Sequence, residues 1–365
     1  MGNLSLHGSS SGIIDWTNSM EQTYEFYSVE PYTWTDVNKI DTIKSCSITY
    51  DSTTDTFMSA SIATSEEVNE QYIRVYLVAK QGKNVERIAL GTFLVQSPSY
   101  SFNGKIFDRT CDAYSPLIEL KEKYPPYGYA IQAGTNIIDK VVRLIEDNSR
   151  CRVINSGTGT DESIIRRDYV SSGSEDLLTF ITGLLKYADK VIRVDALGRI
   201  YFTKIPKLES LVAKKTFDTN AGSILMADIS VDRDIYGIPN VLEVYYKSGS
   251  GTLVSVVENN DSSSVTSIQN RGRRIVSRET DPSFAGAVGQ ATLDEYAKKR
   301  LEELTKVKFS VTYTHGYYPL KVDEGVELDY VQSGMKYKTA LITNQTIECK
   351  TGCTVSETAI FEERV

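Results

Sequence analysis

Apolar and polar positions alternate with period two over several stretches between residues 34 and 109. Cys46, Ile48 and Tyr50 share one parity, Met58, Ala60 and Ile62 form a second set, and Ile73, Val75, Leu77 and Ala79 a third. Successive side chains on a strand point to opposite faces, so each set predicts a strand with one buried face. Asp51–Asp55 and Lys80–Asn84 are polar, Asx- or Gly-containing connections of the kind that join antiparallel strands, and Ile88–Val95 and Tyr100–Arg109 continue the series. Residues 31–120 therefore read as an all-β unit, a sandwich or a barrel. The preceding residues 1–30 read as an arm: the stretch His7–Gly12 is Ser/Gly-rich, and the aromatic residues up to Pro31 follow no clear period.

The texture changes after Leu120, where Pro125-Pro126 excludes regular helix and central strand. Ile137, Ile138, Val141, Val142 and Ile145 then share one face of a predicted helix capped by Thr135 and ending near Asn148. Leu177, Leu178, Ile181, Leu184, Leu185 and Ala188 predict a second helix, capped by Ser174, with Glu175 and Asp176 at its positive end. Val191–Val194 and Ile200–Phe202 flank the turn Asp195–Gly198, a hairpin that closes a small α+β domain over residues 121–210. Residues 211–365 return to strands, most clearly Val241–Tyr246, Leu253–Glu258, Val326–Tyr330 and Lys338–Ile342, with hairpin turns at Ser333-Gly334 and Lys350–Gly352. One helix interrupts them, with Leu293, Tyr296, Ala297, Arg300, Leu301 and Leu304 on a single face. The fold class that follows is α+β but mainly β, two antiparallel strand domains with a small α+β domain between them.

Composition narrows the function classes. At 365 residues the chain exceeds the size at which a single core stops growing, about 250–300 residues, so it is multidomain. With 41% apolar and 24% charged residues it has the make-up of a folded protein. A net charge of -8, a pI near 5.1 and no long Lys/Arg block argue against nucleic-acid binding, whether sequence-specific or along the phosphate backbone. No Lys or Arg occurs in the first 38 residues, so the charged start of a secretory signal is missing and synthesis in a cytoplasm is expected. No apolar run is long enough to span a membrane. Five scattered cysteines do not make a disulfide framework, and reduced thiols are the default. The 23 Tyr against 11 Phe fit either interface rings or good strand formers.

Each motif with chemical potential has a competing explanation. Asp232, Asp234, Gly237 and Glu243 stand at the first, third, sixth and twelfth positions of a calcium loop, but Tyr236 takes the fifth, Pro239 the eighth, and the flanks alternate like strands. The expectation is a strand-entry loop. Gly157-Thr158-Gly159-Thr160 has neither the third glycine nor the following Lys-Ser or Lys-Thr of a phosphate cradle. Cys349 and Cys353 make at most half a zinc site, and read better as small strand residues. The two histidines are His7 in the arm and His315 in the apparent turn Tyr313–Gly316, a poor supply of bases for a Ser or Cys nucleophile. Ser333 and Lys336 match Ser-x-x-Lys in letters but sit at a hairpin tip. No catalytic, cofactor-binding or metal-ligating residue is assigned, no cofactor is expected, and the chain is expected not to be an enzyme.

Taken in order, the segments resemble the hub family of phage baseplates, itself similar to the N-terminal half of type VI secretion spike proteins and to siphophage tail-associated proteins. The residues that carry the resemblance are Leu90–Val95 leading to Asp112–Leu117, the helix and hairpin Leu177–Phe202, Ile238–Val244, the stretch Ser262–Ser277 with Ile268–Gly272, the helix Leu293–Leu304, and Tyr318–Leu328. The resemblance covers about residues 35–361. It implies two tail-tube-like β-barrels per subunit and a homotrimer whose six barrels adapt a sixfold tail tube, or its initiator protein, to a threefold central spike. Tape-measure and other baseplate proteins are the implied neighbours, in the virion tail of a phage or in a contractile injection system. Two other functions compete with it: a tail-tip peptidoglycan hydrolase, and a receptor or carbohydrate-binding tail protein suggested by the aromatic content.

Overall fold

The computed structural model describes residues 14–102, 104–105, 107–154, 156–220, 222–248, 251–282 and 288–363. In the first part of the chain the strands are β1 (Glu21–Glu30), β2 (Thr35–Lys39), β3 (Ile43–Asp51), β4 (Met58–Thr64), β5 (Tyr72–Gln81), β6 (Asn84–Phe102) and β7 (Phe107–Tyr114). Helix α1 (Ile118–Lys121), β8 (Ala130–Ile131), α2 (Ile137–Asn148), β9 (Tyr169–Val170), α3 (Leu177–Lys186), β10 (Val191–Val194) and β11 (Ile200–Thr203) follow. Then come β12 (Ala213–Asp218), β13 (Leu225–Asp234), β14 (Val241–Ser248), β15 (Gly251–Glu258), α4 (Ile268–Arg271), β16 (Val276–Thr280) and α5 (Gln290–Leu304). The chain closes with β17 (Val307–Gly316), β18 (Gly325–Tyr330), β19 (Met335–Cys349) and β20 (Thr354–Glu363). The fold is the mainly β, antiparallel class expected from the alternating pattern.

Thirteen strands share one sheet, ordered β13-β17-β20-β19-β3-β4-β7-β6-β5-β1-β2, with β18 between β12 and β19. The early and late strands meet where β19 pairs antiparallel with β3, from Asn344 opposite Asp51 to Cys349 opposite Cys46. Contacts divide the chain into two compact units, Met1–Ile229 with Tyr313–Ala359, and Ser230–Thr312 with Ile360–Val365. The helix-and-hairpin segment thus belongs to the same compact unit as the early strands and the late strands β18 and β19. In the second unit, β14 is flanked by β15 and β16, and α5 lays Leu293, Ala297 and Leu301 on Leu242 and Val244.

Several local expectations change. Residues 21–30 are not arm but a ten-residue strand that pairs with β5 along its length. Its period is hidden because both faces are partly covered, so rings at Tyr24, Phe26 and Tyr27 fall on either side. Residues 14–20 lie on their own unit: Ile14 and Trp16 are buried, and the Trp16 ring meets Tyr317 edge-on at 5.1 Å. His7 and the Gly8–Gly12 stretch lie outside the described residues. β6 runs on through Tyr100, so Tyr100–Arg109 is not a separate strand but the β6–β7 hairpin. Helix α2 is capped by Asn136, whose Oδ1 accepts from Asp139 N–H, and α3 by Asp176, whose carboxylate accepts from Thr179 N–H. The expected caps Thr135 and Ser174 lie one and two residues upstream, because the helices begin at Ile137 and Leu177 and the cap is the residue just before each.

Candidate functional site

The most elaborate polar construction in the first unit surrounds the tip of the β10–β11 hairpin. Asp195 opens the turn, and its carboxylate accepts from the N–H groups of Leu197 and Arg199 at 3.0 and 2.9 Å and from Arg199 Nε at 2.8 Å. Gly198 sits at φ +81, and a Cβ there would stand 2.5 Å from the Trp34 ring and 3.2 Å from Thr92. Glycine is thus required twice, by backbone conformation and by the closeness of Trp34. The turn is received by two side chains of neighbouring strands. Thr92 Oγ1 donates to Ala196 O at 2.9 Å, and Arg74 Nη2 donates to Leu197 O at 3.0 Å.

Arg74 is 4% exposed, and its fork reaches four partners: Thr92 Oγ1, Asp36 Oδ1, Trp34 O and Leu197 O. It fastens β5, the β1–β2 connection and the hairpin in one geometry. A second arginine works from the hairpin outward. Arg193 on β10 bonds Asp323 with Nε and Nη2 at 2.6 and 3.3 Å, and its guanidinium lies over the Phe57 ring at 4.6 Å. Glu119 of α1 supplies a third joint, accepting from Tyr72 Oη at 2.6 Å and from Arg150 N and Nε at 2.8 and 2.7 Å. Planar guanidinium forks suit such joints because each bond fixes an angle as well as a distance.

Between the hairpin, the early strands and the segment 317–322 lies a cavity of about 70 Å³ whose lining includes Tyr50, Tyr201, Lys321 and Gln345. It is far below the roughly 300 Å³ at which ligand pockets begin, and suits only a few water molecules. Burial pushes the Lys321 ammonium down to about 8, with Lys214 adding repulsion and Glu324 opposing it. Burial likewise pushes the Tyr201 phenol up to about 12. A larger groove, about 380 Å³, borders the β6–β7 hairpin and is lined by Glu66, Glu67, Tyr100, Phe107 and Arg109 among others. The hairpin carries the exposed rings Tyr100, Phe102 and Phe107, the last two stacked at 4.6 Å.

The residues singled out from sequence are not brought together. His315 is not in a turn: it belongs to β17 and is fully buried. Its Nδ1 lies 2.6 Å from Gly316 O, which can only accept, so Nδ1 carries a proton. Nε2 faces Glu357 Oε2 at 3.4 Å, while Glu357 accepts from Tyr313 Oη at 2.6 Å and Gln345 Nε2 at 2.7 Å. A base enclosed in this way meets no external substrate. In the calcium-like loop, Asp232 and Asp234 end strand β13, and Arg271 donates to Ile235 O and Ile238 O at 2.7 and 3.0 Å. A guanidinium thereby occupies the carbonyl of the loop's seventh position, one that a calcium ion would use. The Gly159 N–H is taken by the Asp139 carboxylate at 3.0 Å, a negative group where a phosphate cradle needs room for one. Ser333 donates to Tyr330 O, and Lys336 lies exposed on β19. Cys349 is on β19, whereas Cys353 sits in the following turn at φ +38 and not on a strand. Among the described residues no group of three or more His, Cys, Asp or Glu could hold a metal ion.

Arg74, Arg193, Asp195 and Glu119 were missed by motif reasoning. The available signal is a charge inside an apolar strand, as in Tyr72-Ile73-Arg74-Val75 and Val191-Ile192-Arg193-Val194.

The fold that this framework defines is one found in phage tail proteins. The chain is similar to the tail protein from Neisseria meningitidis MC58, with TM-score 0.62 and 9% identity over 94% of this chain and 96% of that one. It is also similar to the prophage MuSo2 43 kDa tail protein from Shewanella oneidensis, with TM-score 0.61 and 11% identity over 93% of this chain and 98% of that one. A chain of the Francisella PdpA-VgrG complex matches 96% of this chain with TM-score 0.54 and 10% identity, over 53% of its own length. No family model matches the sequence, and no curated protein does.

Proposed function

We propose that this chain is a structural hub subunit of a phage tail baseplate or of a related contractile injection system. The observation that carries the reading is the extent of the likeness: the fold of the Neisseria tail protein accounts for 94% of this chain and 96% of that one. In this reading three copies form a ring in which residues 31–120 and 211–365 supply two tube-like units per subunit, with residues 121–210 between them. Six similar units then meet a sixfold tail tube on one side and a threefold spike on the other, with tape-measure and other baseplate proteins as neighbours. The task is positional and not catalytic. Rings of this kind need large complementary surfaces, and exposed rings support it: Tyr32, Tyr127 and Tyr236 are 81%, 94% and 94% exposed. The arginine joints support it too, since they hold the segments of one subunit in a fixed geometry.

Negative-stain microscopy and sedimentation of the purified chain test the proposal. A threefold ring with a central channel is the expected result, and a monomer at high concentration would overturn it. One observation favours a carbohydrate-binding tail protein as a second reading: the groove at the β6–β7 hairpin combines exposed rings with Glu66 and Glu67. Binding of the isolated chain to host cells, abolished by a Tyr100→Ala, Phe107→Ala double variant, would establish that reading.

A further inference from the structure

The five cysteines are all buried and unbridged, and the fold places two of them face to face. Cys46 of β3 stands directly opposite Cys349 of β19. Six residues along the same ladder, Ser52 N–H donates to Thr343 O, which has the same register, at 2.9 Å. Hydrogen-bonded and non-hydrogen-bonded pairs alternate along an antiparallel ladder, so an even offset makes Cys46–Cys349 a hydrogen-bonded pair as well. Such pairs have Cα atoms about 5.5 Å apart, inside the range of about 4.4–6.8 Å that a disulfide spans; their Cβ atoms stand at the wide end of about 4.5–5.5 Å, so closure also draws the two strand ends together by about 1 Å. Residues directly opposite each other project from the same face of the sheet, so the two side chains are neighbours there. The remaining cysteines are placed differently. Cys111 lies in the same row of the sheet but beyond Ile62, which separates it from Cys46 by a full strand. Cys353 is buried at the end of the β19–β20 turn, beside Tyr24.

We propose that Cys46 and Cys349 are an oxidation site that closes to a cross-strand disulfide, tying β3 to β19 where the early and late strands of the large sheet meet. The inference needs only this chain and does not depend on the hub reading. The reaction removes two protons and two electrons from the thiols, which a small azo oxidant such as diamide accepts. One thiolate adds to the N=N bond, the second attacks the sulfur so bound, the S–S bond forms, and the reagent leaves as the hydrazine. The neighbouring Cys46 and then burial raise the Cys349 thiol, so attack is slow in the closed fold. The exposed turn Lys350–Gly352 follows directly on Cys349, so local opening of the end of β19 would admit the reagent. Because the bond closes a loop of some three hundred residues, it constrains the unfolded chain strongly.

The test is diamide treatment of the folded full-length chain, followed by alkylation in denaturant and peptide mapping without reductant. The expected product is about 2 Da lighter, carries a peptide linking Cys46 to Cys349, leaves Cys111, Cys151 and Cys353 alkylated, and unfolds at higher urea until reductant is added. Cys353→Ser should leave the link intact, whereas Cys46→Ser should abolish it. A Cys349–Cys353 link, or five alkylated cysteines after prolonged oxidation of the wild-type chain, would overturn the proposal.

Discussion

Replacing Arg74 by methionine keeps most of the aliphatic stem and removes the guanidinium, so it isolates the polar joint from the packing around it. Four bonds disappear: to Thr92 Oγ1 at 2.9 Å, Asp36 Oδ1 at 2.8 Å, Trp34 O at 3.2 Å and Leu197 O at 3.0 Å. Removing one partner of a buried ion pair costs about 3–5 kcal/mol. The lower end applies here, because Asp36 is partly exposed and keeps Tyr76 Oη at 2.7 Å and Arg87 at 3.9 Å. The two carbonyls have no such reserve, and each loses a charge-assisted bond worth about 1.5–3 kcal/mol. Taking the lower figure of each, a total loss of about 6 kcal/mol, read with a urea m-value of about 3 kcal/mol/M, lowers the unfolding midpoint by about 2 M. Arg74→Lys should fall between wild type and Arg74→Met, since one ammonium reaches Asp36 but cannot also span Trp34 O and Leu197 O. Hydrogen exchange supplies a local check. Protection should drop at residues 195–199 and 34–36 while β14–β16 in the other compact unit stay unchanged. A midpoint within about 0.2 M of wild type, or unchanged protection at the hairpin turn, would refute the reasoning.

Three further outcomes follow from the same geometry. Gly198→Ala should cost more than about 2 kcal/mol, because alanine at φ +81 is strained and its Cβ meets Trp34 at 2.5 Å; thermal unfolding against Gly82→Ala, at φ +61 with nothing within 4 Å, separates clash from strain. Glu357→Leu should cost about 2–4 kcal/mol by stranding Tyr313 Oη and leaving Gln345 Nε2 with Leu320 O as its one acceptor, whereas Glu357→Gln, which still offers an acceptor, should cost less; urea titration of the pair gives the order. Lys321→Met should stabilise the chain by about 1–2 kcal/mol at pH 7. The folded pKa near 8 lies below the ordinary 10.5, so the charged form is disfavoured by folding and its cost is fully present below pH 8. The cost fades between pH 8 and 10.5, so the advantage of Lys321→Met, followed by urea midpoints across that window, should shrink as pH rises.

The legible parts of this fold are those with one solvated face. β3 and β4 announce themselves because Cys46, Ile48, Met58, Ala60 and Ile62 are buried while alternate neighbours are not. α2 and α3 do so through apolar stripes against polar remainders. β5 shows the opposite case: Tyr72 to Leu77 are buried on both faces, so its alternation was only half the pattern and Arg74 passed as a solvent-facing residue. His315 reads as a turn residue for a related reason, since Gly316 beside it carries a turn propensity that long-range pairing overrides. The Cys46–Cys349 opposition was out of reach, because register between strands some three hundred residues apart is not written in either strand.

The residues that hold the hairpin in place form a consistent set once their partners are known. Arg74, Arg193 and Glu119 each join a regular element to one distant in sequence: β5 to the hairpin turn, β10 to Asp323 before β18, and α1 to Arg150 after α2. Apolar surfaces would drive the same segments together, with a gain proportional to area and little preference among neighbouring registers. A guanidinium or carboxylate taken out of water reverses that tolerance, because any register that leaves it unpaired carries several kcal/mol of penalty. The charges therefore select one arrangement among several that hydrophobic burial alone would permit. Under the proposed hub reading that selectivity matters more than added stability, and buried joints such as Arg74 and Arg193 supply it.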